Sequence, residues 1–143
     1  MVQHATQTGW LAPVGTKVSF SKTVGESDIY LFAGITGDLS PNHVNQEYMR
    51  ATPYGRIVAH GVLLMGFMSC CSTKVIDQGE RPAVSYGYDR VRFTKPVFVG
   101  DTVTVEYEVT EQDLDGQRTF AQVTATNQRG EVVAAATHIL KFI

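Results

Sequence analysis

The segment from Gly61 to Ile76 constrains the fold most, because it reads as one helix that is apolar on nearly every side. A helix of that kind belongs inside a domain rather than on its surface. Its strongest apolar run, from Val62 to Met68, is interrupted by Gly66 and is far shorter than the roughly 20 residues that cross a bilayer. The segment therefore predicts a buried central helix and no membrane association.

The second half of the chain predicts antiparallel strands. Four segments there are rich in β-branched residues and alternate between apolar and polar positions: 85–99, 102–110, 118–127 and 131–142. The turns Asp113–Gly116 and Asn127–Gly130 predict hairpins in which glycine supplies a positive φ.

The first half of the chain predicts one strand and one further helix. Residues 14–24 alternate as an extended strand, and Thr23 and Glu26 have the spacing of a capping box that starts a helix. Gly37 can close that helix. One strand, a buried helix and a run of antiparallel strands predict an α+β fold, with the sheet wrapped around the central helix in a single domain over residues 1–143.

Composition and charge exclude several function classes. The 143 residues carry 12 Lys plus Arg against 14 Asp plus Glu, without a basic block, so nucleic-acid binding is not expected. The first residues have neither positive charge nor an apolar core, so no secretory signal is expected. The two cysteines, Cys70 and Cys71, are adjacent and poorly placed for a disulfide, which indicates a cytoplasmic protein. Because both lie on the apolar helix, their thiols are expected to be buried and inert.

Two short segments hold the candidate catalytic residues. In the turn-rich segment GDLSPNH, Asp38 and His43 offer a carboxylate and an imidazole for proton transfer, and Pro41 restricts the loop between them. Gly61 opens the central helix, where backbone N–H groups lack intrahelical partners and glycine permits close approach of a ligand. The alternative is structural: a turn aspartate, a packing histidine, and a glycine that only lets the helix start pack tightly.

Three segments resemble one enzyme family. Asp38 to His43 resembles the Asp-x-Asn-Pro-x-His motif of the MaoC-like (R)-specific enoyl-CoA hydratases and 3-hydroxyacyl thioester dehydratases, with Ser40 where the family has asparagine. The segment IVAHG that ends at Gly61 resembles the family's helix entry, and residues 92–101 resemble its strand-and-turn segment. The resemblance covers about residues 14–142.

The resemblance implies a hotdog fold and a hydro-lyase. It implies (R)-specific hydration of a trans-2-enoyl-CoA to the (R)-3-hydroxyacyl-CoA, or the reverse dehydration, with no metal or redox cofactor. Asp38 and His43 would hold one water, and the Gly61 N–H would stabilise the thioester oxygen. The residues assigned to substrate binding are Ser40, Pro41, His60 and Val62. The resemblance also implies a homodimer with the acyl-CoA site at its interface.

Other readings remain open from the residues. The thioester carrier can be an acyl carrier protein instead of coenzyme A. A thioesterase commonly has an acid on or beside the central helix, whereas the first acid after Gly61 is Asp77. A non-catalytic binding module typically lacks the Asp or the His. Arg90, Arg92 and Lys95 can either meet coenzyme A phosphates or form a solvated strand face. A metal site is not expected, because His43 and His60 lack an evident ligand cluster.

Overall fold

The computed structural model describes residues 9–143. The predicted domain starts at residue 1, so its first eight residues lie outside this range, as does the N-terminal stretch in which no secretory signal is expected. The elements in chain order are β1 (Lys17–Thr23), α1 (Glu26–Thr36), α2 (Pro41–Val44), α3 (Gln46–Arg50), α4 (Gly61–Ile76), β2 (Ala83–Phe93), β3 (Thr102–Asp113), β4 (Arg118–Thr126) and β5 (Val132–Phe142). None of the four helices in this range has the length and hydropathy of a bilayer-crossing segment.

The strands form one antiparallel sheet in the order β1-β3-β4-β5-β2. Strands β3, β4 and β5 form a meander because two hairpin turns join them. Strand β1 adds to β3, with Phe20 opposite Val105, and β2 adds to β5, with Val84 opposite Lys141. Strands β1 and β2 are therefore the two edges of the sheet.

Helix α4 packs across this sheet and contacts all five strands. Its Leu64, Met68, Cys71 and Val75 are buried against inward-facing strand residues. Along most of β3 and throughout β4 every second residue is buried, because side chains alternate between the two faces of a strand. The predicted α+β class, the buried helix and its limits at Gly61 and Ile76 are confirmed, and the arrangement is the hotdog fold.

The start of α1 differs from the predicted capping box. Gly25 is the N-cap, and its N–H donates to Asp28 Oδ2 at 2.8 Å. Thr23 instead ends β1, where its hydroxyl contacts that of Thr102 at 2.8 Å. Pairing with β3 takes precedence over local capping at this position. Gly37 closes the helix as predicted, with a φ of 77°.

The first hairpin turn also differs from its prediction. The positive φ falls on Gln117, at 54°, and not on Gly116. Gly116 instead leaves room for the Asp113 carboxylate, because a Cβ there would lie 2.1 Å from Asp113 Oδ2, while Asp113 Oδ1 accepts from the Gly116 N–H at 2.9 Å. In the second hairpin Gly130 has the predicted positive φ, at 75°.

Strand β2 is shorter than its prediction and ends at Phe93 rather than near residue 99. The chain beyond it turns back toward the segment that precedes α4. Ala59 N–H donates to Val97 carbonyl oxygen at 2.7 Å, and Val58 bridges Phe98. Thr94 N–H still donates to the Val133 carbonyl of β5, whereas Val97 and Phe98 pair with the entry to α4 and leave the main sheet.

Candidate active site

The loop that contains Asp38 is tied to the segment before α4 at several points. Pro41 starts α2, where its fixed φ suits a first helical position. Val58 N–H donates to the Asn42 carbonyl at 2.9 Å, and His43 Nδ1 donates to the Val58 carbonyl at 2.7 Å. Residues far apart in the chain thus hold the His43 ring in one orientation.

Asp38 and His43 bring their polar side-chain atoms close enough for one water to contact both. Asp38 Oδ2 lies 4.0 Å from His43 Nε2, too far for a direct hydrogen bond. Because Nδ1 carries the proton donated to Val58, Nε2 of the neutral imidazole is a free acceptor. A water about 2.8 Å from both atoms can bridge them. Asp38 is 53% exposed and His43 only 10%, so the pair joins a solvated carboxylate to a buried base.

His60 lies behind this pair. It is only 2% exposed, and its ring stacks on His43 with centroids 3.7 Å apart. His60 Nε2 donates to the Asp38 carbonyl oxygen at 3.0 Å, and Phe32 packs on the ring at 4.7 Å. These contacts make His60 a residue that positions the loop.

The first turn of α4 presents free donors beside His43. The N–H groups of Gly61 and Val62 have no acceptor between residues 9 and 143. A Cβ at Gly61 would lie 2.7 Å from the Phe93 ring, so glycine is what allows α4 to start against this side chain. The positive end of the helix dipole adds to the attraction for a developing negative charge.

His43 and Gly61 share a pocket of about 300 Å³. Its other lining residues are Asn42, Tyr54, Val58, Ala59, Leu64, Phe93, Thr94, Lys95, Pro96 and Val97. None of the residues assigned to substrate binding lines this pocket: Ser40, Pro41, His60 and Val62. Asn42 and Phe93 are pocket residues that the sequence did not single out, because no local pattern indicates which side chains meet in space.

Asp38, His43 and His60 form the one cluster between residues 9 and 143 with the composition of a metal site. The sequence did not indicate this cluster, whose ligand atoms lie within 4.8 Å of one another. The two histidine rings are stacked at 22° with centroids 3.7 Å apart, so their lone pairs lie in separate, nearly parallel planes and do not meet at one point. His60 Nε2 also already donates to a carbonyl. The cluster is therefore poorly shaped for tetrahedral zinc.

A second buried histidine lies outside this site. His138 on β5 hydrogen-bonds Ser85 Oγ at 2.7 Å through Nε2 and the Tyr107 hydroxyl at 2.8 Å through Nδ1. Burial lowers the pKa of His138 from 6.5 to about 4. Burial also raises the pKa of the Cys71 thiol to about 11, in agreement with the expectation of an inert cysteine.

Comparison with known proteins identifies relatives of this chain. The family model for the MaoC like domain matches residues 10–132. The (R)-specific enoyl-CoA hydratase of Rhodospirillum rubrum is 41% identical over 97 residues, which span 67% of this chain and 65% of the relative. The 3-hydroxybutyryl-CoA dehydratase of Methylorubrum extorquens is 33% identical over 121 residues, spanning 84% and 73% of the two chains.

A solved structure shares the fold over nearly the whole chain. The (R)-hydratase from A. caviae superposes with a TM-score of 0.83 and 28% identity, covering 92% of this chain and 97% of that one. The match of fold and family model agrees with the motifs at Asp38–His43 and His60–Gly61. The chain therefore belongs to the MaoC-like dehydratase family of hydro-lyases.

Proposed function

We propose that this protein adds water to a trans-2-enoyl-CoA to give the (R)-3-hydroxyacyl-CoA, or catalyses the reverse dehydration. The observation that carries the proposal is the 4.0 Å separation of Asp38 Oδ2 and His43 Nε2, beside free N–H groups at the start of α4. A carboxylate and an imidazole that share one water meet the proton-transfer needs of hydration. Relatives named as (R)-specific enoyl-CoA hydratase and 3-hydroxybutyryl-CoA dehydratase support the same reaction class.

The Asp38–His43 pair carries both proton transfers. The pair removes a proton from the shared water as the water oxygen bonds to C3 of the enoyl group. A proton passes from the pair to C2, so the carbon–carbon double bond becomes single and the pair returns to its starting protonation state. Because one pair handles both transfers, the hydroxyl and the proton add to the same face of the double bond.

The start of α4 stabilises the charge that develops on the thioester oxygen. As water adds at C3, electron density moves through the conjugated system to that oxygen. The Gly61 and Val62 N–H groups have no other acceptor in residues 9–143 and can donate to it. His60 fixes the Asp38 loop relative to the N–H donors of α4, because it directly precedes Gly61 and donates a hydrogen bond to the Asp38 carbonyl oxygen.

Coenzyme A is the proposed carrier, with an acyl carrier protein as the alternative. Arg90 and Arg92 on β2 form no ion pair with residues 9–143 and are available to the phosphates of coenzyme A. Lys95 is less available because it pairs with Glu131. Free Cys70 and Cys71 support the further proposal that the protein works in a reducing cytoplasm.

A homodimer that completes the site is part of the proposal. Strand β2 is an edge strand of 11 residues, and its Tyr86 is 62% exposed. Val62 on the first turn of α4 is 56% exposed. A long unpaired edge and an exposed apolar helix start favour pairing with a second copy of the chain. Sedimentation at assay concentrations checks this, and full activity as a monomer would contradict it.

The decisive experiment follows crotonyl-CoA by the ultraviolet absorbance of its conjugated thioester. Wild type is compared with Asp38→Asn and His43→Gln, and Asp115→Asn is the matched control because Asp115 lies in an exposed turn. Loss of one acid–base group typically lowers the rate about 100- to 10,000-fold. We expect losses of that size in the first two variants and none in the control, with an (R)-3-hydroxy product.

The same run separates the competing functions. Release of free thiol would indicate a thioesterase instead of a hydratase. Turnover of the acyl carrier-protein thioester at a much higher kcat/KM than the coenzyme A thioester would reassign the carrier. Unchanged rates in both site variants would refute the Asp38–His43 mechanism.

A further inference from the structure

The Asn42 side chain is a polar group in the site that no residue satisfies. Neither polar atom of its carboxamide hydrogen-bonds to any residue between 9 and 143, and Oδ1 is shielded from solvent. A shielded polar atom without a partner is costly, commonly by more than the net worth of a normal hydrogen bond, and Asn42 Oδ1 is such an atom although the residue as a whole is half-buried. Its backbone is held firmly, since Asn42 carbonyl oxygen accepts from Val58 N–H. The unpaired carboxamide therefore stays at the site.

Asn42 lies where two pockets adjoin. One is the pocket of about 300 Å³ that contains His43 and Gly61. The other has a volume of about 440 Å³ and is lined by Tyr48, Met49, Thr52 and Pro53. Asn42, Tyr54 and Val58 line both pockets. A substrate that extends from the catalytic pair into the second pocket passes the Asn42 side chain.

The chemistry of the carboxamide indicates what it recognises. No residue between 9 and 143 holds either atom, so a rotation about χ2 can exchange the oxygen and the NH₂ group at the pocket. A ligand amide offers both an N–H donor and a carbonyl acceptor, so it matches either orientation. The lining of the second pocket is largely apolar, which suits a slender chain with an occasional amide rather than a charged group.

We propose that Asn42 binds an amide of the pantetheine arm, which coenzyme A and acyl carrier-protein thioesters share. The inference rests on the proposed function, since that reaction brings a pantetheine thioester to His43 and Gly61. Asn42 is then a positioning residue for the carrier arm and takes no part in proton transfer. The second pocket holds the arm, and the first holds the thioester.

The test compares two crotonyl thioesters in wild type and Asn42→Leu. One is the pantetheine thioester, and the other is the pentanethiol thioester, whose arm has no amide. A neutral hydrogen bond is worth about 0.5–1.5 kcal/mol, which corresponds to a change of about two- to tenfold. We expect Asn42→Leu to lose about that factor in kcat/KM on the pantetheine thioester, mainly through KM, and nothing on the pentyl thioester.

Two controls separate this role from a structural one. Gln78→Leu removes an exposed carboxamide in the turn just after α4 and should leave kcat/KM unchanged for both thioesters. Asn42→Leu should also leave Tm unchanged or raise it, because it removes the shielded Oδ1 that has no hydrogen-bond partner between residues 9 and 143. Equal losses on both thioesters, or no loss on either, would overturn the proposal and leave Asn42 as a residue that only shapes the pocket.

A binding measurement keeps the proposal independent of turnover. S-butyl pantetheine carries the arm but cannot be hydrated, and its affinity can be measured by calorimetry. We expect binding to wild type about two- to tenfold tighter than to Asn42→Leu, even if crotonyl thioesters are not turned over. Binding to wild type without hydratase activity would refute only the proposed function, whereas equal affinities would refute the role of Asn42.

Discussion

Acid should destabilise this protein through His138, a residue outside the candidate site. Its side chain is 0% exposed, on the central part of β5. The groups that surround it are Ser85 and Tyr88 from β2 and Tyr107 from β3, with Cys71 of α4 close to Tyr107. All four are neutral at acidic pH, so none compensates a positive charge on the imidazole. Burial alone lowers its pKa from 6.5 to about 4.

The size and sign of the effect follow from linkage. Between pH 6.5 and pH 4 the unfolded chain binds a proton at His138 and the folded chain does not. The contribution of His138 is therefore intact above pH 6.5 and is lost at about 1.4 kcal/mol per pH unit as the pH falls toward 4. The full loss is about 3 kcal/mol, a large share of the about 5–15 kcal/mol that stabilises a typical domain.

Urea unfolding between pH 7.5 and pH 4.5 measures this loss, at fixed protein concentration because the proposed dimer would unfold in a concentration-dependent way. His138→Gln is the control, since glutamine keeps a hydrogen-bonding side chain but does not titrate. We expect the wild-type free energy of unfolding to fall by about 2–3 kcal/mol more than that of the variant. Parallel pH profiles, or an NMR titration midpoint for folded His138 near 6.5, would refute the reasoning.

Three further predictions concern packing and reactivity. Gly61→Ala should cost about 1–3 kcal/mol of stability by overpacking, because the alanine Cβ would lie 2.7 Å from the Phe93 ring. In a double-mutant cycle, Phe93→Ala should recover most of that cost, and additive effects would contradict the clash. Met68→Ala should cost about 2–5 kcal/mol in the urea assay, since Met68 is fully buried; a smaller loss would mean that the core collapses around the gap. At pH 8, iodoacetamide should label Cys70 well before Cys71, as measured by mass spectrometry, because burial raises the pKa of Cys71 to about 11. Equal labelling of the two cysteines would contradict the burial of Cys71.

Helix α4 and the strands were predictable because their signals are local. The apolar residues of Gly61–Ile76 determine a buried helix whatever they pack against, and its limits agree with the structure. Alternation located all five strands, and the long prediction at β2 failed where residues beyond Phe93 pair with the entry to α4. Local alternation does not distinguish a strand of the main sheet from an extended segment that pairs elsewhere.

The candidate site divides in the same way. Asp38, His43 and Gly61 could be singled out because a short motif and a helix start mark them in the chain. Only the fold decided that His60, 22 positions from Asp38, stacks on His43 and holds the Asp38 carbonyl. Likewise, only the tertiary structure shows that Asn42 lies between two pockets and that the groups around His138, which come from other strands, are neutral. Periodicity and motifs depend only on residues that are close in the chain. Pocket lining, ring stacking and the burial of a titratable group depend on which distant segments of the chain meet in the fold.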